Sequence, residues 1–186
     1  MSHIKLLTTG GTIASKRDPV TGLQQTGLIS GEELAEKIDL HDDINISVEE
    51  IIKVSSSAIT FENLLTIKDA VTKALSEDDV DGVVITHGTD TLEETSYFLS
   101  QVIPAGKAVV VTGSQRGPEL IGTDAYANLQ DAITLAADIE AAKIGVSVLF
   151  NSKVFMPRFV KKVSAMNVDG FGGGGTGYFG LVDGHD

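Results

Sequence analysis

Cysteine is absent from this chain, which excludes disulfides, thiolate metal sites and cysteine nucleophiles. Clustered cations are missing too. Lys and Arg number 14 against 26 Asp and Glu, a net charge of -12, and no basic run stands against that background. Nucleic acid and anionic membranes are therefore not expected as partners, because phosphate contacts need grouped Lys and Arg. A small zwitterionic or neutral substrate suits such a surface. No apolar run approaches the ~20 residues needed to cross a bilayer. The opening MSHIKLL has no basic segment followed by a long apolar stretch and a cleavage site, so a soluble, cytoplasmic protein is the expectation. The four histidines are scattered without an i,i+4 pair, which speaks against a metal site.

What remains is an ordinary globular balance: 186 residues, 42% apolar and 22% charged, enough for one domain with a real core. Short β-branched runs alternate with helical patterns. Residues 4–9, 46–54, 82–86, 108–112 and 145–150 read as strands, and VVIT and VVVT are apolar at nearly every position. That suits parallel strands covered on both faces. Ser30-Gly-Glu-Glu33 and Thr91-Leu-Glu-Glu94 have the spacing of capping boxes. Phe61, Leu64, Leu65, Lys68, Val71 and Leu75 mark one helical stripe, and Leu129, Ile133, Ala136 and Ala137 mark another. The expected fold is α/β, an open, doubly wound, mostly parallel sheet with helices on both faces, and ligands in such sheets bind at the carboxyl ends of the strands.

Two segments depart from this alternation. Residues 15–29 form a polar connection longer than usual, as lids and binding loops often are. Near the C-terminus, FGGGGTGYFG holds six glycines in ten residues and reads as a flexible linker within a glycine-rich segment, 170–186.

Three predicted strand ends carry hydroxyls: TTGGTIAS, KVSSSAIT and VVITHGTDTLEET. Each admits a structural role, since Thr and Asp cap helices and Gly88 suits a turn. If the strands are neighbours, Thr12, Ser56, Thr89 and Asp90 converge on one crevice. A hydroxyl nucleophile needs a base. His87 is the local candidate, although a histidine at a buried strand end also serves as a structural residue. A lysine does the same work if burial disfavours its charge, and Arg158-Phe-Val-Lys-Lys162 offers one, unless both lysines simply face solvent. TTGGTIAS lacks the G-K-[ST] of a P-loop and the G-x-G-x-x-G of a dinucleotide fold, and nothing matches G-x-S-x-G.

TGGTIAS at 9–15 and ITHGTDTLEETSYFL at 85–99 resemble the two signature motifs of the bacterial-type L-asparaginases, the asparaginase/glutaminase family, in order and separation. VVVTGSQR at 109–116, the Asp124-Ala-Tyr-Ala-Asn128 segment and GVSVLFNSKVF at 145–155 are also similar. The likeness covers essentially the whole chain and only the family's larger N-terminal domain, so one domain over 1–186 without the family's C-terminal domain is expected. This leaves open an excised or designed domain and a short member that assembles differently.

The resemblance implies hydrolysis of L-asparagine to aspartate and ammonia without a cofactor or metal, with glutamine as a minor substrate. By motif, Thr12 aligns with the nucleophile that forms an acyl-enzyme. Thr89 aligns with the second essential threonine, and Asp90 with the carboxylate that binds the α-amino group. Lys162 aligns with the lysine completing a Thr89–Lys162–Asp90 relay, and Ser56 with the serine that holds the α-carboxylate, in a register that Ser55 and Ser57 leave open by one. Backbone N–H groups around Gly11 would face the developing oxyanion. The family further implies a homo-oligomer, dimer or tetramer, in which the C-terminal domain of a neighbour supplies an acidic residue. A tyrosine usually sits on the loop after the first motif. Here its place falls at about Gln24, and Tyr97, Tyr126 and Tyr178 lie elsewhere, which implies lower activity or a different lid. The rival expectation is a weakly active or inactive amino-acid-binding domain.

Overall fold

In the computed structural model, described over residues 1–22, 24–25 (Gln24 by its main chain) and 27–183, one seven-stranded sheet organises the chain. Its parallel part consists of β1 (Ser2–Gly10), β4 (Ile44–Val54), β5 (Gly82–Thr86), β6 (Ala108–Thr112) and β7 (Val146–Phe150). Two short strands, β8 (Lys153–Phe155) and β11 (Gly180–Leu181), join antiparallel at one edge, giving the order β11-β8-β7-β6-β5-β1-β4. Asn151 and Ser152 turn β7 into β8, both with positive φ, as a two-residue hairpin requires.

Alternate residues of the central strands feed two cores, which is the period-2 consequence of a pleated backbone. Val83, Ile85, Val109, Val111, Val148 and Phe150 pack on one face with Ile67, Val71 and Ala74 of α2 (Phe61–Ser76) and Leu92 and Leu99 of α3 (Leu92–Val102). Ile4, Leu6, Val84, Val110 and Leu149 pack on the other with Leu34 of α1 (Gly31–Ala35) and Leu129, Ile133 and Ala136 of α4 (Ala125–Ala137). A short α5 (Ile139–Ile144) leads into β7. The doubly wound α/β arrangement expected from the apolar runs is thus present, with β5 and β6 buried at every position. Burying each Val or Ile contributes about 1.5–3 kcal/mol, so these strands make a rigid base for the loops at their ends.

Three expectations need correction. The glycine-rich segment is not a linker over its described residues. β10 (Phe171–Gly172) pairs with β9 (Lys161–Lys162), β11 extends the main sheet, and Phe171 is buried with its ring 4.6 Å from that of Phe150. An aromatic anchor and two strand pairings outweigh the conformational freedom of the glycines. Gly184–Asp186 of that segment lie outside the described residues. On α2 the core-facing stripe is Ile67, Val71 and Ala74, while Phe61 and Leu65 are exposed. The apolar pattern is broader than one face, and Phe61 instead meets Phe98 of α3 edge to face. The Thr91 hydroxyl does not cap α3 but donates to the Ser56 carbonyl at 2.8 Å. The Ser30 capping box does form, and so does one that the sequence reading passed over, Thr60 with Asn63.

The long polar connection folds back on itself as a small hairpin, β2 (Lys16–Arg17) against β3 (Gln24–Gln25). Asp18 holds its turn by accepting from the Thr21 N–H and hydroxyl and from the Val20 N–H, bonds that keep its carboxyl below its ordinary pKa. Among the described residues no helix is long and apolar enough to cross a membrane.

Candidate active site

Strand order reverses beside β1. The chain passes from β1 to β4 on one side and then crosses to β5 on the other. Such a reversal leaves a crevice outside the carboxyl ends of the strands, because the connections on either side diverge. β1 ends at Gly10, β4 at Val54 and β5 at Thr86, so the three hydroxyl-bearing loops emerge side by side, as the sequence argument required.

Their closeness is set by backbone. Gly11 has φ +81°, and a Cβ there would lie 2.5 Å from the Gly88 nitrogen. A Cβ at Gly88 would lie 2.5 Å from Ser56 Oγ. Side chains at either position would hold the loops apart; the glycines let them touch. Ser56 Oγ accepts from the Asp90 N–H at 3.1 Å. Of the three consecutive serines, Ser56 is the buried one. Ser55 and Ser57 bond to each other, hydroxyl to hydroxyl, at 3.0 Å.

Lys162 arrives from far along the chain. Its Nζ donates to Thr89 Oγ1 and to Asp90 Oδ1, each at 2.8 Å. Thr89 is buried, the Lys162 side chain is one-fifth exposed, and that of Asp90 is 58% exposed. Within the expected basic segment the two lysines divide: Lys161 is exposed, Lys162 turns inward, and Arg158 lies over the ring of Phe159. The Lys162 main chain is held as well, its N–H donating to Glu93 Oε2 at 2.6 Å.

Thr12 opens a short 3-10 turn, Thr12–Ala14, directly after Gly11. Its carbonyl accepts from the Ser15 N–H and hydroxyl. Among the described residues its own hydroxyl makes no hydrogen bond, and none links it to Thr89, Asp90 or Lys162. It borders a cavity of about 790 Å³ that is also lined by Gln115, Arg116, Glu119, Leu120, Ile121 and Met166. None of the three tyrosines lines that cavity, and the side chain of Gln24 lies outside the described residues.

His87 is engaged on both nitrogens. Nδ1 lies 2.7 Å from the Gly88 carbonyl, which can only accept, so Nδ1 carries the proton and Nε2 accepts from Thr95 Oγ1 at 3.0 Å. Burial holds its pKa below the ordinary value. This neutral, fully partnered ring braces the turn and is not a free base.

Sequence reasoning missed the groups behind these loops. The Asp124 carboxylate accepts from the Gln115 and Arg116 N–H groups, both at 2.9 Å, and so shapes the loop after β6. Asn128 bridges the Gly113 carbonyl to the Asn151 N–H, tying the ends of β6 and β7 together. Gln115 Nε2 donates to the Ser164 carbonyl at 2.7 Å, bringing the segment after β9 to the cavity. The resemblance of residues 124–128 to a family segment was the one signal available for Asp124 and Asn128. Glu93 looked only like a first-turn acid of α3. Among the described residues, no group of three or more His, Asp or Glu is placed to hold a metal ion.

The crevice holds a hydroxyl on a glycine turn, a second hydroxyl bonded to a lysine and, through it, to a carboxylate, and a buried serine alongside, groups of the kind that acyl transfer uses. The family model described as "Asparaginase, N-terminal" matches residues 3–186. The L-asparaginase of Bacillus licheniformis is 46% identical over 180 residues, covering 97% of this chain and 56% of that protein. L-asparaginase 2 of Bacillus subtilis (strain 168) is 36% identical, covering 98% and 49%. The solved structure of a "Probable Cytoplasmic L-asparaginase" from Campylobacter jejuni superposes with a TM-score of 0.93 at 36% identity, covering all of this chain and 57% of that one. The chain thus spans about half the length of the curated relatives it matches. Fold, motifs and identity together place this chain in the L-asparaginase family, over that family's N-terminal domain.

Proposed function

We propose that the chain hydrolyses the side-chain amide of L-asparagine through an acyl-enzyme, with Thr12 as nucleophile. The observation that carries this reading is the pair of 2.8 Å bonds from Lys162 Nζ to Thr89 Oγ1 and Asp90 Oδ1, beside a threonine whose hydroxyl has no partner among the described residues. Thr12 Oγ adds to the amide carbon, and N–H groups at the start of its turn, unpartnered within that turn, face the oxyanion. The C–N bond then breaks, and nitrogen leaves as ammonia carrying the proton that Thr12 released. Water, oriented by Thr89 and Lys162, adds to the ester carbon. The C–Oγ bond breaks, Thr12 regains a proton, and aspartate departs.

Substrate binding follows from the same groups. The exposed Asp90 carboxylate meets the α-ammonium, and the Ser56 hydroxyl, accepting from the Asp90 N–H, keeps its own proton to donate to the α-carboxylate. Glutamine differs by one methylene, and such differences are worth only about 1–3 kcal/mol of discrimination, so slower glutaminase turnover accompanies the main activity. Assembly as a homodimer or tetramer is part of the proposal, and light scattering tests it.

The direct experiment is ammonia release from asparagine by the wild type, Thr12→Ala and Thr89→Ala. Release that depends on both threonines supports the proposal. Absence of release, with aspartate or asparagine still binding in a calorimeter, favours an amino-acid-binding domain instead.

A further inference from the structure

Lys162 is held at both ends by one stretch of chain. Its Nζ reaches Thr89 and Asp90, and its main-chain N–H reaches Glu93, four residues beyond Thr89 in the first turn of α3. The strand that carries it is two residues long and pairs through its other edge with β10, Lys162 opposite Phe171. So short a ladder fixes little by itself. A bond from a main-chain N–H to an ionised carboxylate is shorter and stronger than a neutral one, and here it anchors β9 directly to the helix that follows the Thr89-Asp90 loop. Glu94, the neighbouring acid in the same turn, is exposed. Complementing the helix dipole therefore does not distinguish the two acids, whereas the bond to Lys162 does.

We propose that Glu93 is a positioning residue for Lys162: its carboxylate clamps the main chain of β9 at the height from which the ammonium reaches Thr89 and Asp90. The catalytic consequence rests on the amidohydrolase function proposed above; the clamp itself does not. Glu93 is not among the residues that line the Thr12 cavity, so its loss should act on turnover more than on substrate binding. A catalytic group displaced by about an ångström costs on the order of a hundredfold in rate.

The experiment uses Glu93→Ala, Glu93→Gln and Glu93→Asp with two readouts. In the first, brief labelling with acetic anhydride and peptide mapping give the acetylation of Lys162 relative to exposed Lys161, an internal reference one residue away. The ratio is expected to be low in the wild type, to rise several-fold in Glu93→Ala, and to stay low in Glu93→Gln, whose amide oxygen still accepts from the N–H. Glu93→Asp, which keeps the charge but falls short, should also raise it and serves if the alanine variant does not fold. In the second, kcat for asparagine falls about ten- to a hundredfold in Glu93→Ala with KM within about twofold, and Glu93→Gln restores most of the loss. An unchanged labelling ratio in both Glu93→Ala and Glu93→Asp overturns the proposal. So does a glutamine variant as impaired as the alanine one, which would make charge rather than position the cause. A wild type that releases no ammonia counts against the amidohydrolase function, and the labelling ratio then decides on Glu93 alone.

Discussion

The two threonine loops of the crevice are built in different ways. Around Thr89 and Asp90, hydrogen bonds arrive from distant parts of the chain: Ser56 from the end of β4, Lys162 from β9, and Glu93 returning the contact from α3. Around Thr12 the geometry is local. A positive-φ glycine and a single 3-10 turn set the hydroxyl, which faces the cavity without a partner among the described residues. One half is preorganised by tertiary contacts that share a lysine; the other depends on a backbone shape that only glycine adopts without strain. A site that needs one oriented hydroxyl and one reactive hydroxyl is served by that division.

Removing each hydroxyl should separate the two halves. Thr12→Ala and Thr89→Val are both expected to lower kcat/KM for asparagine by about a thousandfold or more, measured by ammonia release. Their thermal stabilities should differ. Thr12→Ala stays within about 0.5 kcal/mol of wild type, whereas Thr89→Val removes an acceptor from the Lys162 ammonium and costs about 1 kcal/mol or more, read from urea denaturation. Equal stabilities would erase the proposed contrast.

Phe171→Ala strikes the Thr89 half from behind. It empties a buried aromatic site against Phe150, in the strand that pairs with that of Lys162. A loss of about 3–5 kcal/mol is expected by denaturant titration, with increased acetylation of Lys162. Gly11→Ala tests the Thr12 half, since its Cβ would press on the Gly88 backbone from a left-handed conformation. The expected cost is about 1–3 kcal/mol, and activity should fall even where the protein remains folded, because the two loops must separate.

The smallest effect concerns pH. His87 is neutral in the folded state, and burial depresses its pKa below the ordinary 6.5. The unfolded chain therefore takes up a proton near that value while the folded chain resists. The contribution is complete above about pH 6.5 and is lost as pH falls from there through the folded-state pKa. His87→Gln should flatten the decline in melting temperature between pH 7 and 5. It should also lower stability at pH 7 by about 1–3 kcal/mol through its disrupted bonds to Gly88 and Thr95.

Much of the architecture was legible because its causes are local. GVVIT and AVVVT are short, β-branched and apolar throughout, which suits strands buried on both faces, and their bounds agree with the structure. The Ser30 capping box needs three residues to declare itself. FGGGGTGYFG misled because its glycines are conspicuous, while what orders it, the seat for Phe171 against Phe150, belongs to an earlier strand, β7. Thr91 misled for a similar reason: its spacing suits a cap, but a carbonyl from another loop competes for its hydroxyl. Glu93, Asp124 and Asn128 gave no sign of their distant partners, because those bonds go to main-chain groups, and any residue type supplies those.

By itself the sequence determined the alternation of strands and helices, the loops that carry Thr12, Ser56, Thr89 and Asp90, and the glycines that let those loops approach. These follow from periodicity and backbone freedom, which act over a few residues. The tertiary structure gives the physical ground for Lys162 over Lys161 and for Ser56 over its neighbours, which the family resemblance had indicated, and it alone decided that His87 is braced on both nitrogens and that Glu93 holds the strand of Lys162. Those choices depend on burial and on hydrogen bonds between segments tens of residues apart, whose geometry exists only once the sheet has set the distance between them.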